Sequence, residues 1–324
     1  MTHSTLNEVV ALIRQSNQIA VATHVSPDPD AIGSLLGLGL ALQAMGKQVA
    51  LLCDDPMPDK LAFLPGSAEV QDRLPDHFSA DLFIGVDASD TERLGIVSQP
   101  LIGAGIPIIS IDHHITNTRY GTVNLVLPEC AATAEIMVLL LDGLGLPLSQ
   151  EIAACLLAGL VGDTRSFSTA SVTPATFATA GRLIAAGADL ETITERVFNR
   201  RTLELLRLWG IGLTHMGQED GILWAELPLE EQKQLHIGRP SDTGLSNLLL
   251  SVEGIVVTAV FTELPENKVE ISFRARPGLD VSQVAFALGG GGHPAASGCT
   301  VEGSLNEVVQ RVLKLLKEQV VQIG

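Results

Sequence analysis

Short apolar runs that stop abruptly in polar loops recur along the first third of the chain. Ile19 to Thr23 is followed by a polar loop and then by an apolar, Gly- and Ala-rich segment of helical length, Ala31 to Met45. Val49 to Cys53, Asp81 to Val86 and Pro107 to Ile111 repeat the short-run pattern. Runs that are apolar at successive positions, rather than at alternate ones, predict strands covered on both faces. Separating such strands by helical or irregular crossovers predicts a parallel sheet. From Ala131 to about Gly187 the pattern is helical, with Ala132 to Leu144, Ser149 to Leu160 and Pro174 to Ala186 as helices.

Leu190 to Leu213 is amphipathic, rich in Glu and Arg and without strand character, and reads as a helical connector. Beyond it, Gly221 to Leu227, Ile255 to Glu263 and Lys268 to Arg274 read as strands, with a hairpin turn over Leu264 to Asn267. Val281 to Leu288 and Leu305 to Val320 read as helices. The expected fold class is therefore α/β. Residues 1–188 form a parallel-sheet domain with flanking helices, 189–215 a helical linker, and 216–324 a smaller α+β domain with a mixed sheet. A chain of 324 residues is long enough to bury two such cores.

Composition narrows the function. Hydrophobic residues make up 46% and charged residues 18%, a globular mix that excludes disorder. The apolar runs fall short of the roughly 20 residues that span a bilayer. Met1-Thr2-His3-Ser4 has no basic flank leading into an apolar core, so a cytoplasmic location without a membrane partner is expected. Cys53, Cys130, Cys155 and Cys299 lie far apart and read as buried small hydrophobes. A net charge of −17 opposes the counterion release on which binding of long duplex nucleic acid depends. With aromatics at 4%, stacking platforms for long single strands are scarce. A small phosphorylated substrate remains compatible, because divalent metals and a few arginines reverse the sign of one cleft locally.

The chemistry gathers at the predicted strand ends. His24-Val25-Ser26-Pro27-Asp28-Pro29-Asp30 follows the first strand, Asp87 the run ending at Val86, and Asp112-His113-His114 the run ending at Ile111. Gly162-Asp163-Thr164 closes an apolar helix. Singly, each acid is explained as a turn or cap residue, and Asp30 reads as a cap for the helix beginning near Ala31. Together, imidazoles and carboxylates without cysteine suit Mn²⁺ or Mg²⁺, and Zn²⁺ or Co²⁺ by affinity. Six candidate ligands exceed one ion's needs, so a pair of ions about 3.5–4 Å apart is expected. Downstream, Gly289 to Gly292 can present bare backbone N–H groups to a phosphate, with His293 as a further donor. Arg274 and Arg276, two apart on a strand, share a face and can grip phosphate bidentately.

These segments carry a resemblance. D-P-D-A-I-G-S (Asp28 to Ser34), V-D-A-S-D (Val86 to Asp90), D-H-H (Asp112 to His114) and G-D-T (Gly162 to Thr164) resemble the motifs of the DHH phosphoesterase family. F-R-A-R (Phe273 to Arg276) and G-G-G-G-H-P-A-A-S-G (Gly289 to Gly298) resemble the family's associated C-terminal substrate domain. Within the family, the chain is most similar to the NrnA-type subfamily of oligoribonucleases that also dephosphorylate 3′-phosphoadenosine 5′-phosphate (pAp). The resemblance implies an exonucleolytic hydrolase that releases mononucleotides from short single-stranded RNA, converts pAp to AMP, or both, using two divalent ions, Mn²⁺ first and Mg²⁺ or Co²⁺ as substitutes. It implies His24 and Asp28 on one ion, Asp30, His113 and Asp163 on the other, and Asp87 bridging them. His114 then contacts the scissile phosphate and Asp112 orients the histidine pair. Arg274, Arg276, Gly290, Gly291, Gly292 and His293 bind substrate.

One departure bears on the substrate. Arg165 follows Gly162-Asp163-Thr164 where many relatives have glycine, and Ser166-Phe167-Ser168 stands where a basic residue is often found. Arg165 is the candidate to replace that contact. A linear or cyclic dinucleotide phosphodiesterase is the enzymatic alternative. A nucleotide-binding sensor is the alternative without catalysis, disfavoured by the full set of candidate ligands. Ile136 to Leu141 fits either a homodimer contact or the core.

Overall fold

The computed structural model describes residues 2–199, 201–235 and 244–321. The chain divides into two compact units, Met1–Arg200 and Arg201–Gly324.

In the first unit, β1 (Gln18–Ala22), β2 (Gln48–Leu52), β3 (Val70–Gln71), β4 (Leu82–Val86), β5 (Ile108–Asp112) and β6 (Val123–Val126) form one sheet in the order β3-β2-β1-β4-β5-β6. Every pairing is parallel. Its helices are α1 (Thr2–Gln15), α2 (Pro29–Ala44), α3 (Gln99–Ile102), α4 (Thr133–Leu144), α5 (Gln150–Asp163), α6 (Pro174–Ala185) and α7 (Leu190–Thr194). The unbroken apolar runs have a direct cause. Ile19, Val21, Leu82 and Ile84 point into a core shared with α2, α4 and α5, while Ala20, Ala22 and Phe83 point into a second, smaller core with Leu94, Val97 and Leu101. With apolar neighbours on both faces, alternation disappears. Strands β3 and β6 carried no comparable run: one is two residues long and the other is interrupted by Asn124.

Helix α4 settles one open point. Ile136, Met137, Val138, Leu140 and Leu141 are buried in the unit's own core, and only Leu139 of that run is exposed. The run is core, and needs no second copy to cover it. Cys53 and Cys155 are buried free thiols, and burial raises their pKa values to about 11 and about 12.

Residues 189–215 are divided between the units. Ile193 and Val197 pack into the first core, whereas Leu208 of α8 (Leu203–Thr214) packs with Leu223, Leu227 and Leu245 of the second unit. A π-helical turn, Glu195–Asn199, follows α7.

The second unit holds a mixed sheet of β7 (Met216–Glu219), β8 (Ile222–Leu227), β9 (Val257–Leu264), β10 (Lys268–Ala275), β11 (Gly291–His293) and β12 (Ala296–Glu302), in the order β11-β12-β10-β9-β8-β7. Only β8 and β9 pair in parallel; the other described pairings are antiparallel. Helices α11 (Val281–Ala287) and α12 (Leu305–Val321) cover one face, burying Val284 and Val312 against Val269, Ile271 and Phe273. Helix α10 (Leu245–Leu250) and α8 cover part of the other face, and α9 (Leu229–Lys233) follows β8. The glycine run ends in a strand: β11 pairs with β12 at the sheet edge. No described helix is long and apolar enough to cross a membrane.

Candidate metal centre and anion-binding face

In an open parallel sheet, ligands bind beyond the carboxyl ends of the strands, where the strand order reverses. Here the order reverses between β1 and β4. His24 follows β1, Asp87 follows β4, Asp112 ends β5 and His113 and His114 come next, so these chemical residues leave three adjacent strands at the same edge. Asp163 reaches them as the last residue of α5. It can do so because α2 and α5 touch through glycine. A Cβ on Gly33 would lie 2.4 Å from the Cys155 carbonyl, one on Gly159 2.6 Å from Asp30 Oδ1, and one on Gly162 2.6 Å from Pro29.

Three groups of donors have ligand atoms within 4.8 Å of one another: His24, Asp28 and Asp87; Asp30, His113 and Asp163; and Asp87, His113 and His114. Asp87 joins them. Its Oδ2 lies 3.6 Å from His24 Nε2, its Oδ1 3.8 Å from His113 Nε2 and 3.7 Å from His114 Nδ1. Asp28 Oδ1 is 3.9 Å from His24 Nε2, and Asp163 Oδ2 is 3.1 Å from His113 Nε2. Asp87 has a left-handed backbone, φ +56°, which aspartate tolerates better than most side chains and which aims its carboxylate inward.

The helix-cap expectation for Asp30 is corrected. Helix α2 starts at Pro29, so Asp28 is its cap and accepts hydrogen bonds from the backbone N–H groups of Asp30 (2.9 Å) and Ala31 (3.0 Å). Asp30 caps a different helix. Its carboxylate accepts from the N–H groups of Thr133 (2.6 Å) and Ala134 (2.9 Å), where α4 has no side-chain cap of its own. Thr133 Oγ1 donates to Asp87 Oδ1 at 2.8 Å. Thr133 thus ties two acids together, a role that a threonine before an apolar helix does not advertise in sequence.

The imidazoles are set by their outer nitrogens. His24 Nδ1 lies 2.8 Å from the Val25 carbonyl, which requires a proton there and turns Nε2 toward the acids. Arg93 Nη2 also lies 3.3 Å from Nδ1, but two donors cannot bond each other, so the shorter carbonyl contact governs. His113 Nδ1 is 3.4 Å from the Cys130 carbonyl, and its Nε2 is buried without a properly directed hydrogen bond, although Asp163 stands near. His114 Nδ1 is held by Asp112 Oδ1 at 2.7 Å. Asp112 is fully buried, and its Oδ2 accepts from Asn117 Nδ2 at 2.7 Å. Asn117 also reaches the Ala88 carbonyl at 3.1 Å, tying the β4 and β5 loops together. It sits in a polar loop with no sequence signal.

Electrostatics express the crowding. Burial, and then the charges of Asp87, Asp163 and Asp28, push Asp30 well above the usual carboxylate range; burial with Asp87 and Asp163 also raises Asp28. Burial alone would raise Asp87, but its hydrogen bond with His24 and the charges of His113, His24 and His114 outweigh it and hold Asp87 low. For His113, burial opposes protonation, yet Asp163, Asp87 and Asp112 lift it to about 9. His24 is raised in the same balance, and His114 mainly through Asp112. Crowded acids, a buried His113 Nε2 without a well-directed hydrogen bond and an oxygen and nitrogen donor set fit divalent cations.

Arg165 is exposed, on a turn where Arg165, Ser166 and Phe167 are successively left-handed at φ 47°, 56° and 64°. The Phe167 ring stacks on Phe177 at 5.4 Å.

In the second unit, Arg274 and Arg276 are used differently. Arg274 lies on the open face of β10; its Nε donates to Asn247 Oδ1 at 3.2 Å, and it borders a cavity of about 400 Å³ with Glu270, Ser272, Ser297 and Thr300. Arg276 lies past the end of β10, with Nε on the Ile255 carbonyl (2.8 Å) and Nη2 on the Leu250 carbonyl (3.1 Å). Gly289 and Gly290 donate their N–H groups to Phe286 and Ala285 at the end of α11. Gly291, Gly292 and His293 form β11 and are exposed.

Residues 18–160 match the DHH family, N-terminal domain, and residues 243–322 match the DHHA1 domain. The bifunctional oligoribonuclease and PAP phosphatase NrnA of Thermus thermophilus is 36% identical over 94% of this chain and 91% of its own length. The chain belongs to the DHH family of phosphoesterases. As a member of that family it is a hydrolase of phosphate esters. An exopolyphosphatase-related protein from Bacteroides fragilis has the same fold, with a TM-score of 0.88, 26% identity and 98% of both chains covered. RecJ of Thermus thermophilus, solved in complex with Mn²⁺, shares the fold at a TM-score of 0.58 and 16% identity, over 99% of this chain and 55% of RecJ.

Proposed function

We propose that this DHH phosphoesterase releases mononucleotides from short oligoribonucleotides and removes the 3′-phosphate of pAp, with Mn²⁺ as its working metal. The observation that carries the reading is Asp87, whose two oxygens face different histidines at the meeting point of the donor groups. His24 and Asp28 would hold one cation and Asp30, His113 and Asp163 the other, with Asp87 available to both. The NrnA relative supports the substrate class and the RecJ complex the metal. Bound divalent ions supply Lewis acidity to the phosphoryl group and acidify water.

The protein's own groups do the rest. Asp112 accepts from His114 Nδ1 and so favours the doubly protonated ring, whose exposed Nε2–H donates to a phosphoryl oxygen and stabilises its developing charge. Thr133 and the α4 N–H groups fix the orientation of Asp87 and Asp30, so little reorganisation accompanies reaction. In the second unit, Arg274, Gly291, Gly292 and His293 supply groups that bind a nucleotide's phosphate. Arg276 fixes the backbone at Ile255 and Leu250, and Arg165 of the first unit offers an exposed cation to the substrate. The acidity of the chain and its few aromatics favour a short substrate over a long one.

The test is release of phosphate and mononucleotide from pAp and from an RNA dinucleotide with Mn²⁺, beside Asp87→Ala and with a cyclic dinucleotide for comparison. Turnover of pAp or the linear dinucleotide, lost in Asp87→Ala, is the expected result. Turnover confined to the cyclic dinucleotide, or undiminished in the variant, refutes the reading.

A further inference from the structure

Helix α11 turns Val281, Val284 and Ala285 into the core of the second unit, which leaves Phe286 facing outward at 80% exposure. That is a large apolar surface to leave in water. Phe286 borders a cavity of about 320 Å³ with Ser282, Gln283, Gly291 and Gly292, at the small end of the range for ligand pockets. Part of its lining is bare backbone: a Cβ on Gly291 would meet nothing within 4 Å, and Gly292 sits at φ +138°, where a side chain would strike Ala296 and Ser297. Gln283 donates its amide nitrogen to Asp280 at 3.2 Å, which anchors the amide and leaves its Oε1 as an acceptor. An aromatic plane, a side-chain-free strand and polar groups at the rim complement a flat heterocycle whose edge carries hydrogen-bonding atoms. An extended apolar patch, as a protein partner would need, is not what surrounds Phe286, because its cavity neighbours are serine, glutamine and glycine.

We infer that Phe286, with Ser282, Gln283 and the bare strand β11, forms a nucleobase subsite, and that the base stacked there belongs to the nucleotide whose phosphate is held by Gly291, Gly292 and His293. The inference rests on the reading of the chain as a nucleotide phosphoesterase. It assigns base recognition to the second unit. Phe286 is a specificity-determining residue there, and the chemistry remains with the metal centre.

The experiment compares wild type, Phe286→Ala and Phe286→Tyr with Mn²⁺ on pAp and on ribose 3,5-bisphosphate, which has the phosphates but no base. The preference for pAp, as a ratio of kcat/KM values, should fall about tenfold in Phe286→Ala through a raised KM, and the tyrosine variant should restore it. An unchanged preference in Phe286→Ala overturns the subsite, as does an equal loss on both compounds. If wild type turns over neither compound, the hydrolytic reading fails by itself, and equilibrium titration of AMP and ribose 5-phosphate against EDTA-treated protein decides the subsite. AMP affinity lost in Phe286→Ala with ribose 5-phosphate unaffected supports it; equal AMP affinity in wild type and variant, or no AMP binding by wild type, overturns it. The ring is solvent-exposed, so its removal disturbs no packing, and unchanged thermal unfolding checks this.

Discussion

Asp112→Asn replaces one oxygen by an amide nitrogen and leaves the shape alone, yet the buried site cannot accommodate it. The carboxylate accepts on both sides: Oδ1 takes His114 Nδ1 at 2.7 Å and the His114 backbone N–H at 3.2 Å, while Oδ2 takes Asn117 Nδ2 at 2.7 Å. An asparagine must turn its NH₂ toward one of them. Facing Asn117, it sets two donors at hydrogen-bond distance; facing His114, it requires Nδ1 to give up its proton, which ends the ring's positive charge, and opposes the backbone N–H. Either way one buried donor loses its partner, at a cost of about 1–3 kcal/mol. For a domain of this size that corresponds to a Tm lowered by roughly 2–10 °C. The loss of a hydrogen bond to a charged group, about 1.5–3 kcal/mol, predicts a fall in kcat of about 10- to 100-fold. The assay is Mn²⁺-supported AMP release from pAp, paired with an NMR titration of His114, whose pKa is raised mainly by Asp112 and should move back toward the ordinary value. A variant with kcat within about twofold of wild type and an unmoved His114 titration would refute the reasoning.

Thr133→Val, nearly isosteric, removes the hydroxyl bonded to Asp87 and should weaken Mn²⁺ binding about 10-fold or more with little change in fold, measured by calorimetric titration; equal affinity would show that Asp87 needs no such support. Gly33→Ala places a methyl 2.4 Å from the Cys155 carbonyl, so α2 and α5 must part; Tm and Mn²⁺ affinity should fall together, and a stable variant with intact affinity would dissociate Asp163 placement from that contact. Removing metal should matter more at high pH. His113, raised to about 9, stabilises the metal-free fold fully below its unfolded value near 6.5 and loses that contribution as pH rises through about 9; Asp28 and Asp30, also raised, disfavour the metal-free fold once ionised. The Tm of EDTA-treated protein should therefore fall from pH 6.5 to 9, and Mn²⁺ should restore more of it at pH 8.5 than at 6.5; an equal or larger metal effect at pH 6.5 contradicts this. Arg276→Ala frees the Ile255 and Leu250 carbonyls and should lower Tm, whereas Arg274→Ala should chiefly raise KM; the reverse outcome would interchange their roles.

Much was legible in the sequence because it is carried by local pattern. Unbroken apolar runs such as Ile19 to Ala22 and Leu82 to Val86 specify strands buried on both faces, and His24, Asp87 and Asp112 stand directly at or after their ends, so strand recognition alone placed them at one sheet edge. Family membership was legible for the same reason: its motifs are contiguous words. What spans the chain was not. The order that sets β1 beside β4 arises from pairing between residues some sixty positions apart, such as Ile19 with Leu82. The division of labour between Asp28 and Asp30 depends on where α2 begins and on α4, whose N–H groups meet Asp30 across 103 positions. Thr133 and Asn117 are ordinary polar residues until folding places a carboxylate against each. Arg276 has the same chemistry as Arg274, but it lies just past the strand end, where two backbone carbonyls reach its donors. Residue type and local periodicity are written in sequence; which polar atom finds which partner depends on distances that exist only after both cores have closed, because a hydrogen bond is decided within a few tenths of an ångström and an apolar run is not.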